Sequence, residues 1–139
     1  MDEELLKKAL DNEKNEGILK LDTQKLSKEK NDILEQLNLT KKDLKVIQKK
    51  LKNYRFIEDI KELHYGSYIR WISLKNPDNI RLTNGGIVCD MKEVNSDIHI
   101  VCKNNMNRLF QLKMSENIIF QKVSDQEKIL LQVMDYLRK

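Results

Sequence analysis

Apolar residues recur every seven positions through the first 54 residues of this chain and every second position after Gly66, and no other property limits its fold as sharply. Counting from Leu5, one series runs Leu5, Asn12, Leu19, Leu26, Ile33, Thr40, Ile47 and Tyr54. A companion series, four residues later, runs Ala9, Glu16, Thr23, Lys30, Leu37, Leu44 and Leu51. This is the a/d spacing of a coiled coil. It predicts one long N-terminal helix over 1–54, on the order of 75–80 Å at 1.5 Å per residue. Leu19, Leu26, Ile33, Leu37, Leu44, Ile47, Leu51 and Tyr54 would form the seam of a homodimer or homotrimer. Polar residues crowd the first half of that seam, so the tighter pairing is expected from Ile33 onward. A second reading stays open. Thr40-Lys-Lys-Asp43 resembles a capping box, which starts a helix, and Asn38-Leu39-Thr40 would then turn the chain into a helical hairpin.

Residues 55–64 keep helical spacing through Phe56, Ile57, Ile60 and Leu63, but out of phase with the seam, and read as a connecting helix or turn. Beyond Gly66 the pattern alternates. Tyr68 to Leu74, Ile87 to Lys92, Ile98 to Lys103, Leu109 to Met114 and Ile118 to Val123 read as strands, and Ile80 to Leu82 as a short extended piece. Asn76-Pro-Asp-Asn, Asn84-Gly-Gly, Asn95-Ser-Asp, Asn104-Asn-Met-Asn and Ser115-Glu-Asn separate them as turns. Short strands joined this way predict a small antiparallel SH3-like barrel. Ser124 and Glu127 have the spacing of an N-cap and its reciprocal acid. They start a C-terminal helix whose apolar face, Ile129, Leu130, Val133, Met134 and Leu137, is expected to pack on the barrel. The class is α+β, with a coiled coil over 1–54, a connector over 55–64 and a barrel with its helix over 65–139.

Length and charge narrow the function. At 139 residues the chain is too short for a large enzyme with a deep cleft, and no apolar run approaches the ~18 residues of a membrane span. The net charge of +4 hides a separation. Residues 1–16 carry six acids against three lysines, a balance of −3, while residues 41–55 carry seven bases against Asp43, a balance of +6. Lys42, Lys45, Lys49 and Lys52 repeat at helical steps, with Arg55 and Arg70 nearby. Such a band is either a solvated helix face or a seat for phosphates or an acidic protein. Tyr54, Phe56, His64, Tyr65, Tyr68 and Trp71 cluster beside it. Exposed, they would stack bases or cage a cation; buried, they would form a core, with Ile69 and Trp71 pointing inward.

Two cysteines, Cys89 and Cys102, make neither a disulfide framework nor a zinc site, and read as small buried hydrophobes. The opening Met-Asp-Glu-Glu lacks the pattern of a signal peptide, so a reducing, cytoplasmic setting is expected. No catalytic motif, metal site or cofactor loop stands out. Asn84-Gly85-Gly86 runs into a strand rather than a helix, which suits a turn or bulge better than a phosphate cradle.

Three stretches carry a resemblance: Leu63-His-Tyr-Gly-Ser-Tyr-Ile-Arg-Trp-Ile, Leu82-Thr-Asn-Gly-Gly-Ile-Val-Cys and Asn117-Ile-Ile-Phe-Gln-Lys-Val-Ser-Asp-Gln. In these the region 55–139 resembles a group of small proteins of giant, AT-rich DNA viruses. The resemblance implies a protein of the infected cell's cytoplasm or of the virion, and it transfers no functional residue. The likeness to SH3-like or Tudor-like barrels is one of strand order, and fold does not fix function. The expectation is therefore a non-enzymatic, oligomeric interaction or scaffold protein with a protein partner. The alternative is a nucleic-acid-binding protein that uses the basic band.

Overall fold

A computed structural model of the chain describes residues 3–138. It contains two compact units, one built from the residues up to Gln36 together with those from Val123 on, the other from Leu37–Lys122.

The long coiled-coil helix does not form. In its place stand α1 (Glu3–Asp11), a 3-10 helix (Glu13–Lys20), α2 (Thr23–Glu35) and α3 (Lys41–Lys50). The breaks fall at residues whose short polar side chains offer the backbone another partner. Asn12 (φ −85°, ψ 110°) accepts a hydrogen bond from the Lys14 amide, Asp22 (φ −134°, ψ 176°) from that of Lys25 and Thr40 (φ −67°, ψ 158°) from that of Asp43. Each is an N-cap in extended conformation, which no continuous helix can contain. The supposed seam is dispersed. Leu19 sits in the 3-10 helix, Leu26 and Ile33 on α2, Leu37 in a bend, and Leu44 and Ile47 on α3. Leu51 caps α3, and Tyr54 opens a strand. The break at Thr40 belongs to the hairpin alternative, yet four short helical segments replace the two that it implied.

In the first unit, Ala9, Ile18, Leu26, Val123, Leu130 and Leu131 share a core. The last helix, α4 (Asp125–Leu137), thus packs on the N-terminal segment through Leu130 and Leu131, a correction both to the expected barrel partner and to the expected face, whose Leu137 is exposed. Its start is the capping box read from Ser124 and Glu127. Polar groups staple the same packing. The Gln126 Oε1 accepts from Asn12 Nδ2 at 2.9 Å and from Asn15 Nδ2 at 3.1 Å. At the other end, Asp135 accepts from the Thr23 amide at 2.8 Å, and Arg138 pairs with Asp22.

The second unit is a six-stranded antiparallel sheet of β1 (Tyr54–Ile57), β2 (Tyr68–Ser73), β3 (Gly86–Val94), β4 (Asp97–Lys103), β5 (Leu109–Lys113) and β6 (Asn117–Lys122). Its ladder order is β1-β6-β2-β3-β4-β5, an open order with β1 and β5 at its edges where a closed barrel was expected. The connector over 55–64, read as a helix or turn, holds most of β1 and then one 3-10 turn, Ile60–Glu62. The core gathers Ile57, Leu63, Ile69, Val88, Ile100, Cys102, Leu112 and Ile119, with Trp71 and Met91 packed against it.

A bulge between Val88 and Asp90 sets Cys89 out of register. Val88 and Met91, three residues apart, then both reach the core, and Cys89 is exposed rather than buried. Gly85 adopts φ +91°, and a Cβ there would stand 2.1 Å from the Ile69 carbonyl oxygen. One at Gly86 would stand 2.7 Å from that of Lys103. The positive φ at Gly85 suits the turn read there, the bulge lies further on between Val88 and Asp90, and the close approach at both glycines is a packing role that the sequence did not show. Among the described residues no helix is long and apolar enough to cross a membrane.

Candidate nucleic-acid interface

α3 is amphipathic. Leu44, Ile47 and Leu51, at i, i+3 and i+7, turn toward the protein, and Ile47 and Leu51 are buried. Lys42, Lys45 and Lys49 occupy the opposite stripe, with Lys41 and Lys50 beside it and Lys52 just beyond the C-cap. All six lysines are exposed. Among the described residues none of them lies within ion-pair distance of a carboxylate. Asp43 is the one acid on the helix, and its amide is committed to the Thr40 cap. The stripe is therefore a field of uncompensated positive charge at the surface.

The helix ends where an aromatic row begins. The Tyr54 amide donates to the Leu51 carbonyl at 3.0 Å, which fixes the turn from α3 into β1. Tyr54 faces Lys122 across the β1–β6 ladder. One step beyond the Ile69–Gln121 pair of the β2–β6 ladder, Tyr68 comes level with the same lysine. Tyr54, Lys122 and Tyr68 thus share one side of three adjacent strands, since residues opposite one another in a ladder share a face. Arg70 lies on that side one pair further along, opposite Phe120. Burial pushes the Tyr54 phenol above its ordinary pKa, the Arg70 guanidinium pulls it back, and Tyr68 adds to the rise. Tyr68 is held by its hydroxyl, which donates to the Asn84 carbonyl at 2.7 Å, and Arg70 by its Nε, which donates to that of Thr83 at 2.8 Å. An exposed lysine stripe and two half-buried tyrosines thus lie in the same unit, with Lys52 two residues before Tyr54.

Arg55 does not join them. Its side chain is 3% exposed and lies 3.6 Å from Glu62, inside the sheet unit and off the lysine stripe. The remaining aromatics divide. Phe56 packs on Phe120 with ring centroids 6.1 Å apart, Trp71 lies against the core, and Tyr65 is exposed on a loop. Lys122 escaped sequence reading because it belongs to the site only through strand pairing. A signal was present, since it is the first charged residue after the apolar run of the last strand.

A shallow groove of about 280 Å³ opens on another part of the sheet, between Trp71, Ser73, Leu112 and Asn117. Glu116 lines it, 3.1 Å from Lys75 and 3.9 Å from Lys113, which line it too. Its walls carry no arrangement of nucleophile, base and orienting group of the kind that covalent catalysis uses. No group of three or more His, Cys, Asp or Glu able to hold a metal ion occurs among the described residues. Comparison of the chain with protein-family models, with curated proteins and with solved structures returns no match.

Proposed function

We propose that this chain is a non-enzymatic binding protein and that its ligand is single-stranded nucleic acid. The reading rests on one observation above the others: among the described residues the lysine stripe of α3 has no acidic partner, and the chain passes from α3 within four residues to Tyr54, the first of the Tyr54–Lys122–Tyr68 row. Lys42, Lys45, Lys49 and Lys52 would neutralise successive phosphates, an interaction indifferent to sequence. Tyr54 and Tyr68 would stack unpaired bases, at about 1–3 kcal/mol per base. A duplex keeps its bases stacked and offers the tyrosines nothing, so single strands are preferred. Arg70 would add a contact beside the tyrosines. The proposal carries a cytoplasmic setting with it, argued from the two unpaired cysteines.

Fluorescence anisotropy with a labelled single-stranded RNA, a single-stranded DNA and a duplex tests it. Tighter binding of the single strands supports the reading, and equal or absent binding rejects it.

The Trp71 groove favours a second reading, a protein partner, because its lining combines the part-buried Trp71 with polar and charged side chains, Ser73, Lys75, Gln111, Lys113, Glu116 and Asn117. Pull-down with and without nuclease separates the two. A partner retained after nuclease speaks for the groove, and one lost speaks for the lysine stripe.

A further inference from the structure

β5 is an edge strand, and the direction of its backbone groups follows from the rest of the ladder. The Val88 amide donates to the Ser67 carbonyl at 2.9 Å, and its carbonyl accepts from Gly66 at 2.8 Å. Both Val88 groups therefore point away from Cys102, its partner in β4. In an antiparallel sheet a residue's N–H and C=O leave the strand on the same side and alternate along it. Cys102 thus bonds toward Phe110, and so do its neighbours at alternate positions. The Asn104 amide, which donates to the Arg108 carbonyl at 3.0 Å, agrees with that phase. By the same alternation, the amides and carbonyls of Leu109 and Gln111 point outward from the sheet. No backbone bond outside the ladders uses them.

The side chains here are apolar and uncovered. Leu109 is 67% exposed and Phe110 45%, with Met106 in the adjoining turn also exposed. The strand holds no proline, and its one charge, Lys113, lies at the far end. That end is closed, because Asn117 Nδ2 donates to the Lys113 carbonyl at 2.8 Å. Natural sheets usually protect such edges with charge, proline or a bulge. This one is open over Leu109–Gln111 alone.

We infer that β5 pairs with β5 of a second copy of this chain, antiparallel, about a two-fold axis through Phe110. The occupant follows from the register. Leu109 of each copy comes opposite Gln111 of the other, so the four outward groups of each strand bond one another and no donor or acceptor is left over. Phe110 meets Phe110, which extends the Val88–Cys102–Phe110 row of each sheet into its neighbour. Arg108 comes opposite Leu112, and Lys113 opposite Asn107, so no like charges face each other. An interface of this size falls below about 1,200 Å² and belongs with weak contacts, so the dimer dissociates on dilution. This inference is independent of the proposed ligand, because β5 carries none of the lysines or tyrosines invoked for it.

Sedimentation velocity on the full chain over a concentration series tests it. The unsubstituted chain is expected to pass from monomer to dimer. Gln111→Pro removes one outward amide and keeps the backbone bonds to β4, a substitution that edge strands tolerate; it also removes the 2.7 Å bond between Gln111 Nε2 and His99 Nδ1, as Gln111→Ala does, so the two variants differ only in the backbone, and it should weaken the dimer at least tenfold. Gln111→Ala keeps the amide and should leave the dimer intact. Phe110→Lys should abolish it, and circular dichroism checks that each variant is folded. If Gln111→Pro fails to fold, Phe110→Lys decides. A chain that is monomeric at every concentration, or a folded Phe110→Lys that still dimerises, overturns the inference.

Discussion

Arg55 and Glu62 face each other at 3.6 Å, one on β1 and the other on the 3-10 turn that follows it. The Arg55 Nη2 also donates to the Glu62 carbonyl at 3.5 Å. Gln121, opposite Arg55 in the β1–β6 ladder, donates to that same carbonyl at 2.9 Å, and its own Oε1 accepts from the His64 amide at 2.8 Å. An arginine that reads as part of a basic band is thus a strut inside the sheet unit.

Removing one partner of a buried pair leaves the other desolvated and unmatched. Arg55→Ala should lower the stability by about 3 kcal/mol in urea or thermal unfolding, while nucleic-acid affinity measured well below the unfolding transition stays unchanged. An Arg55→Ala chain of normal stability that fails to bind would assign Arg55 to the ligand instead.

The two cysteines should differ in chemistry. Cys102 is buried in the core, and desolvation, with a smaller contribution from Cys89, pushes its thiol pKa up to about 11. Cys89, set outward by the bulge, is exposed. A thiol reagent at pH 8 is expected to label one cysteine in the native chain and two in denaturant, and Cys89→Ser should abolish the native reaction. Rapid labelling of both in the native state would contradict the register described.

These residues also show what could be read from the sequence. β3 and β4 were legible through their alternation, β2 and β6 as short β-branched and aromatic runs, β6 being buried on both faces from Ile118 to Gln121, and all of them because Asn, Gly, Ser and Pro mark the turns between them. α4 was legible through Ser124 and Glu127, whose reciprocal bonds are local. The coiled coil was a misreading, since short amphipathic helices packed in a globule repeat with nearly the same period as a seam. What separates the two is capping, and Asn12, Asp22 and Thr40 carried that signal. β1 was hidden because four residues are too few to display alternation. Cys89 was misplaced because a bulge shifts the phase of a strand without leaving a mark of its own. Of the interface, the lysine stripe was visible as local spacing, whereas Lys122 joins Tyr54 only through pairing of residues far apart in sequence.

The hydroxyl of Ser115 donates to Asp97 at 2.6 Å. That bond is the largest of the causes holding the Asp97 carboxyl below its ordinary pKa. A carboxylate whose pKa is depressed on folding stabilises the native state above its unfolded pKa, and the stabilisation is lost as pH falls through the folded value. Wild type should therefore melt above Ser115→Ala at pH 6, and the gap should close as pH is taken below 4. A gap independent of pH would show that Ser115 acts through packing.

Gly85 leaves no room for a side chain, with its positive φ and the Ile69 carbonyl 2.1 Å from any Cβ. Gly85→Ala should destabilise the chain by about 2 kcal/mol or more, whereas Gly66→Ala, where a Cβ would meet nothing within 4 Å, should cost only the strain of its φ of +81°. Thermal unfolding of the two variants side by side gives the comparison. Equal losses at both positions would contradict the close approach at Gly85.

The most direct test of the proposed interface is the salt dependence of single-stranded RNA binding, measured by anisotropy between 50 and 200 mM salt. Four phosphate contacts give a slope of log K against log salt of about −3, or about a 50-fold loss over that range. The quadruple variant Lys42→Gln, Lys45→Gln, Lys49→Gln, Lys52→Gln should bind weakly and lose most of that slope, while it melts like the unsubstituted chain. A folded quadruple variant with unchanged affinity and unchanged slope would contradict the account, and the stripe on α3 would then be a solvated helix face.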